Sequence, residues 1–304
     1  MPVRKVVPPY LKRGDEIAII SPSSSIDEDK ISYAVNVFED MGLKVRLGKN
    51  VLKRSGPFAG TDEERLADLQ DMTSRKNIKA VICSRGGYGL LRIIDRVDFS
   101  PLKTSPRWYL GFSDITILHL WLSEVCRIVS LHAEMPLNFS GQDYSEASLE
   151  SLRSALFGES YNIRWNSPVV NTEKIEGVFT GGNLSLLYSL TGTKAEPRTK
   201  GRILFIEDIG EQFYHIDRML RSLKLAGKLE GLAALVAGGF TEIKDTKTSW
   251  GMSIEETLSD VISDYDYPVF FNFPAGHQPD NRALFIGRKA RITSDGENAV
   301  MSFL

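Results

Sequence analysis

Cysteine is scarce in this chain: Cys83 and Cys126 are the only two among 304 residues. They stand far apart, without metal-ligand spacing, and both sit in apolar surroundings. That pattern fits buried, reduced thiols in a reducing compartment. Histidine is nearly as rare, with four. The acidic run Asp62-Glu63-Glu64 has no histidine beside it, so no metal-ligand set is legible. An excess of charge is also missing. Thirty-seven basic residues oppose 39 acidic ones, and a net charge of −2 leaves no basic footprint for nucleic acid. No apolar run approaches the roughly 20 residues that span a bilayer. Met1 to Tyr10 carries basic residues but no apolar core of signal-peptide length. The expectation is a cytoplasmic protein with no nucleic-acid or membrane partner. What remains is ordinary globular composition, 42% hydrophobic and 25% charged. The length suggests about two domains.

Apolar runs and polar turns alternate along the first half. Ile17 to Ile20 reads as a buried strand ending at Ser21-Pro22-Ser23-Ser24-Ser25. Residues 27–42 read as a helix with Ile31, Ala34, Val35 and Phe38 on one face. Lys44 to Leu47, Ala80 to Cys83 and Trp108 to Leu110 are further strand candidates. Thr61 to Glu64 opens a helix with a capping-box pattern. Strands alternating with helices predict a doubly covered parallel α/β sheet. The pattern loosens between Phe139 and Lys174, through Gly141, Gly158, Asn162, Asn166 and Pro168. The expected organisation is therefore a first domain over 1–156, a linker over 157–176 and a second α/β domain over 177–304. In the second, Leu184 to Leu190, Tyr214 to Leu225 and Ile254 to Ile262 read as helices. Arg202 to Ile206, Ala233 to Ala237, Val269 to Phe271 and Ala290 to Ile292 read as strands.

Trp108-Tyr109-Leu110-Gly111-Phe112-Ser113-Asp114 has the local order of a nucleophile elbow. A strand ends, the chain turns at a glycine, and a serine opens a helix. The elbow pattern wants a second glycine two residues after the serine, where this chain has Ile115. A serine after a glycine is more often a turn residue or a helix N-cap, so its standing depends on a base and an orienting acid. His119 follows on the same helix and reads as structural. His132 ends an apolar run and reads as a core histidine, and His215 begins an amphipathic helix. His277 differs, because it lies in the Gly/Pro/Asn loop Phe273-Pro274-Ala275-Gly276-His277-Gln278-Pro279 after a strand, where α/β folds display reactive groups. Glu207 and Asp208 follow the strand ending at Ile206. Either carboxylate could orient an imidazole, and the pattern alone does not choose. Arg85-Gly86-Gly87-Tyr88-Gly89 follows the strand ending at Cys83. Its glycines let backbone N–H groups approach a ligand closely. A phosphate cradle is the rival reading, but Leu90-Leu91 stands where a Walker lysine and hydroxyl would be.

In this order, seven segments resemble the serine LD-carboxypeptidase family. They are Ile19 to Ser23, Ser84 to Gly89, Gly111 to Asp114, Gly181 to Leu184, Phe205 to Asp208, Tyr214 to Leu220, and Gly276-His277. The family includes muramoyltetrapeptide carboxypeptidases and microcin C self-immunity proteins. The resemblance implies a Ser113–Glu207–His277 triad, which selects Glu207 over Asp208. It implies an oxyanion hole from the backbone N–H groups of Gly87 and Asp114, with Gly86 also possible. It implies a nucleophile-bearing first domain and a second domain supplying the acid and base, with the site where they meet. Arg85, beside Gly86, is the candidate for the substrate's terminal carboxylate. The expected substrate is a murein tetrapeptide or related LD-peptide, cleaved without metal or cofactor by a homodimer. A peptidyl-nucleotide antibiotic is the alternative substrate, with Trp250 as the candidate for stacking on a base. A non-catalytic anion- or sugar-binding module is the reading from another class.

Overall fold

In the computed structural model, the described residues are 5–140, 144–167 and 172–304. Met1 to Arg4, Gly141 and Pro168, which enter the sequence reading above, lie outside them. The chain divides into two compact units, Met1–Tyr161 with Pro279–Ile286, and Asn162–Gln278 with Gly287–Leu304. Among the described residues, no helix is long and apolar enough to cross a membrane, and no group of three or more His, Cys, Asp or Glu could hold a metal ion.

The first unit runs β1 (Glu16–Ile20), α1 (Glu28–Asp40), β2 (Lys44–Leu47), α2 (Asp62–Ser74), β3 (Ile78–Cys83), β4 (Trp108–Gly111), α3 (Thr116–Leu120), β5 (Ser130–His132), α4 (Pro136–Phe139) and α5 (Glu146–Phe157). The second contributes β6 (Asn162–Asn166), β7 (Thr172–Asn183), α6 (Leu184–Ser189), β8 (Ile203–Ile209), α7 (Phe213–Leu225), β9 (Ala234–Thr241), α8 (Ile254–Val261) and β10 (Val269–Phe270). The chain then returns to the first unit as β11 (Leu284–Ile286) and ends in the second as β12 (Lys289–Ser294) and β13 (Asn298–Phe303).

The first sheet has the order β11-β5-β4-β3-β1-β2. Strands β1 to β5 are parallel, and β11 closes the edge antiparallel to β5. Central strands read as continuous apolar runs because both faces are covered: Ile17 to Ile20 and Ala80 to Cys83 are fully buried. The strand order reverses between β1 and β3, the switch point at which open α/β sheets gather their ligand loops. The loops Ser21 to Ser25 and Ser84 to Gly89 leave those two strands. Thr61 caps α2 with the full capping box that the sequence suggested.

The second sheet has the order β10-β9-β8-β7-β12-β13-β6. Strands β7 to β10 are parallel, and β12, β13 and β6 extend the sheet antiparallel through β7. Phe179, Phe205, Phe270 and Phe273 are fully buried together, with Phe179 stacked on Phe205 at 5.8 Å. The structure divides differently from the linker expected over 157–176. That stretch holds β6 and the start of β7, and residues 279–286 belong to the first unit. Asn162 to Asn166 alternates exposed and buried, with Ile163 and Trp165 inward. This period of two is a strand signal that the flanking Gly158, Asn166 and Pro168 obscure.

Candidate active site

The first group of residues is built on the end of β4. Gly111 has φ +150°, and a Cβ there would stand 2.8 Å from Ile115 Cγ1. The chain passes through extended Phe112 to Ser113, which holds φ +65°. Non-glycine residues rarely adopt that left-handed conformation, which costs of order 1–3 kcal/mol. A helical run begins at Ser113 and continues through α3, so the half-buried serine sits where backbone N–H groups lack intrahelical partners. Ile115, at the position of the missing elbow glycine, fills the space beneath Gly111.

The glycine loop after β3 lies directly on this turn. A Cβ on Gly86 would stand 2.7 Å from Ser113 Cβ, 2.8 Å from its Oγ and 3.2 Å from the Asp114 backbone nitrogen. Gly87 holds φ +97°, and a Cβ there would stand 2.2 Å from Ser24 Oγ. Ser24 N–H donates to the Gly86 carbonyl at 3.2 Å, and Tyr88 N–H donates to Ser24 Oγ at 3.2 Å. Asp114 knits the three loops together. Its buried Oδ2 accepts from Ser23 Oγ at 2.6 Å and from Leu90 N–H at 3.0 Å. Burial pushes its carboxyl up, while those two hydrogen bonds and the charge of Arg65 pull the other way without cancelling the rise. Arg85 Nη1 donates to the Ser25 carbonyl at 3.0 Å, so the guanidinium also braces the loop after β1.

The second group joins Glu207, within β8, to His277, in the loop after β10. Glu207 is fully buried, and its Oε2 accepts from His277 Nδ1–H at 2.6 Å and from His277 N–H at 3.2 Å. That arrangement fixes the tautomer, leaving Nε2 as the basic nitrogen. Burial opposes the imidazolium. The charge and hydrogen bond of Glu207, followed by the charges of Asp208 and Glu242, outweigh it and leave His277 above its ordinary value. Gly276 permits the approach: at φ +104°, a Cβ would stand 2.8 Å from Glu207 Cβ, Cγ and Oε2. Thr241 Oγ1 donates to the His277 carbonyl at 2.9 Å, anchoring the loop from β9.

The geometry distinguishes the two neighbouring carboxylates. Asp208 turns to α6 instead, accepting from Asn183 Nδ2 at 2.9 Å and from the N–H groups of Ser185 at 3.0 Å and Ile209 at 2.9 Å. Burial first, and then the Glu207 charge, push its carboxyl up to about 6.

The structure thus brings Ser113, Gly86, Gly87, Asp114 and Arg85 together in the first unit, and Glu207 with His277 in the second. His132 is a core residue, bonded through Nε2 to Asn281 Oδ1 at 3.0 Å. His215 pairs with Glu211 at 2.5 Å on the surface side of α7. Trp250 is tied to α8, its indole N–H donating to Thr257 Oγ1 at 3.0 Å. Sequence reasoning missed Ser24, which abuts Gly87, and the connection of His119 to the elbow. A hydroxyl cluster after β1 and a histidine one helical face away from the serine were the available signals.

A strained serine at a strand-to-helix turn and a buried acid–histidine pair are the parts of a serine hydrolase. The comparisons give the family. Residues 17–133 match the LD-carboxypeptidase N-terminal domain, and residues 176–292 match the LD-carboxypeptidase C-terminal domain. A Bacillus subtilis protein called a probable murein peptide carboxypeptidase is 37% identical over 97% of this chain and 93% of its own. The crystal structure of muramoyltetrapeptide carboxypeptidase from Oxalobacter formigenes superposes with a TM-score of 0.86 at 31% identity, covering 95% of this chain and 98% of that one. The microcin C7 self immunity protein MccF, in its wild-type apo state, shares the fold with a TM-score of 0.87 at 20% identity, over 98% of both chains. The chain belongs to the LD-carboxypeptidase family.

Proposed function

We propose that the chain is a serine carboxypeptidase that hydrolyses the amide between an L-centre and a terminal D-alanine in murein tetrapeptide, through an acyl-enzyme. The observation that carries this reading is the buried Glu207 carboxylate 2.6 Å from His277 Nδ1, which orients the ring and makes Nε2 its basic nitrogen. The names of the relatives with more than 30% identity supply the substrate class.

In this mechanism His277 Nε2 takes the Ser113 proton as Oγ attacks the carbonyl carbon of the L-centre. The N–H groups of Gly87 and Asp114 receive the oxyanion, and Glu207 stabilises the imidazolium. Collapse breaks the C–N bond, and His277 returns its proton to the departing amine of D-alanine. Water then attacks the ester, giving its proton to His277, which passes it to Ser113 Oγ as the tripeptide acid leaves. Each oxyanion donor is worth about 3 kcal/mol in such sites. In this reading Arg85 and Gly86 meet the terminal carboxylate, the guanidinium by charge and Gly86 by its lack of a side chain.

The same reading makes the protein a cytoplasmic homodimer that recycles wall peptides, without nucleic-acid or membrane partners. Incubation with the tetrapeptide tests it. Absence of D-alanine release by the wild type rejects the substrate, and turnover retained by Ser113→Ala rejects the mechanism.

A further inference from the structure

His119 lies six residues beyond Ser113 on the same helical run and is buried in the first unit. Its ring faces back along the chain. Nε2 is 2.7 Å from the Gly111 carbonyl oxygen, and Nδ1 is 2.8 Å from Ser130 Oγ. A carbonyl can only accept, so Nε2 carries the proton and Nδ1 accepts from the Ser130 hydroxyl. Burial holds the ring neutral, pushing it down to about 3 against the pull of the Gly111 carbonyl. Both ring nitrogens are therefore committed, and the donor is aimed at a backbone atom of the elbow.

That atom has a particular place. Gly111 stands two residues before the serine and holds φ +150°, while Ser113 holds φ +65°. Two unusual backbone conformations flank one extended residue, and such a turn persists only where its surroundings over-determine it. The Gly111 carbonyl also accepts from Ala133 N–H at 3.3 Å, a longer bond from the neighbouring strand. The His119 bond is the shorter of the two. It ties the helix after the serine to the strand before it, closing the turn from the inside.

We propose that His119 is a positioning residue for the nucleophile: its Nε2–H bond to the Gly111 carbonyl locks the strand-to-helix turn at the angle that presents Ser113 Oγ. This rests on the reading of Ser113 as the nucleophile. A histidine that merely fills the core would serve through its volume and its polar satisfaction together, so the two hydrogen bonds must be separated. In His119→Gln the amide nitrogen reaches the position of Nε2 and keeps the donor to Gly111. In His119→Asn the amide oxygen matches Nδ1, keeping the acceptor for Ser130 and losing the donor.

The experiment measures kcat and KM for D-alanine release from murein tetrapeptide, the rate at which a fluorophosphonate labels Ser113, and the thermal midpoint. His119→Gln is expected to hold kcat within about 3-fold. His119→Asn is expected to lower kcat about 30-fold with KM within about 2-fold, and to slow labelling in parallel, since small misplacements of reacting groups cost up to ~100-fold. Equal kcat in the two variants, or a loss confined to KM or to the thermal midpoint, overturns the proposal. If His119→Asn does not fold, His119→Met replaces it, filling similar volume without a donor, and the same comparison decides. Ser113→Ala runs beside them. Turnover retained there overturns both the nucleophile and this inference. A wild type that labels at Ser113 but releases no D-alanine overturns only the substrate, and the labelling rates then judge His119.

Discussion

Replacing Glu207 by glutamine removes a charge while keeping the shape of the side chain. In the wild type, Glu207 Oε2 and His277 Nδ1 are 2.6 Å apart, with the carboxylate fully buried. Charge centres about 4 Å apart at an effective dielectric near 20 attract by about 4 kcal/mol. That attraction exists only when His277 is protonated, as it becomes in the transition state. At ~1.4 kcal/mol per decade, its loss lowers kcat about 1,000-fold. The same exchange of acid for amide in other triads costs about 10,000-fold, so the expected range is set. The amide nitrogen would also take the place of Glu207 Oε1, which is buried without a hydrogen-bond partner among the described residues. A stranded donor there costs about 1–3 kcal/mol of stability.

The pH profile gives an independent arm. Burial drives His277 down, and Glu207 reverses that. The base must be neutral to work, so wild-type kcat/KM falls as pH drops through the raised His277 value. In Glu207→Gln, burial acts with less opposition, and the acid limb moves to lower pH. The assay is D-alanine release from the tetrapeptide between about pH 5 and about pH 9, read as kcat and as kcat/KM. A variant that keeps more than about a tenth of wild-type kcat, or one whose acid limb stays in place, refutes the assigned role.

Gly276→Ala drives a Cβ to 2.8 Å from Glu207 in a left-handed backbone. Stopped-flow or steady-state turnover should fall about 100-fold, with about 2 kcal/mol lost in urea unfolding. Gly86→Ala places a Cβ 2.8 Å from Ser113 Oγ on a backbone that does not need positive φ. It should abolish fluorophosphonate labelling and also lower the thermal midpoint, since the new Cβ stands 2.7 Å from Ser113 Cβ and overpacks the turn. His277 is raised on folding, so its pairing with Glu207 contributes stability fully below its unfolded value of about 6.5. That contribution is lost as pH rises through the folded value. The stability gap between wild type and His277→Gln, measured by urea unfolding, should therefore be wider at about pH 6 than at about pH 9.

The parts that were legible in the sequence are those with strong local causes. Ile17 to Ile20 could only be a buried strand, and Thr61 with Glu64 spells its own cap. The serine after Gly111 and the glycines after Cys83 mark places where backbone must bend or approach closely. Choosing Glu207 over Asp208 needed a family resemblance, because adjacent carboxylates on one strand differ only in which way each points. The structure supplies the physical reason: successive residues face opposite sides, one toward the Gly276 loop and one toward the start of α6. Strand β11 was hidden by its length, three residues after a run of Pro, Asp, Asn and Arg. Its pairing with β5 joins positions about 150 residues apart, and no local pattern encodes such a partner. His119 was read as structural, but no sequence pattern showed that its ring would bond the Gly111 carbonyl.

The return of residues 279–286 has a consequence for how this gene can be divided. A fragment ending at Tyr161 would lack β11, and β5 would present a bare hydrogen-bonding edge. It would also lack the Tyr161 hydroxyl's acceptor at Ala283 and the acceptances of Asn281 N–H by Ser148 and Ala283 N–H by Ser151. Uncovered edges of that kind pair with other chains and precipitate. The unit that carries the serine is therefore not heritable as a contiguous cassette. Its sheet is completed by codons that follow those for His277, so shuffling that exchanged the second half of the gene would leave the first half without its last strand, whereas every strand of the second sheet lies after Tyr161.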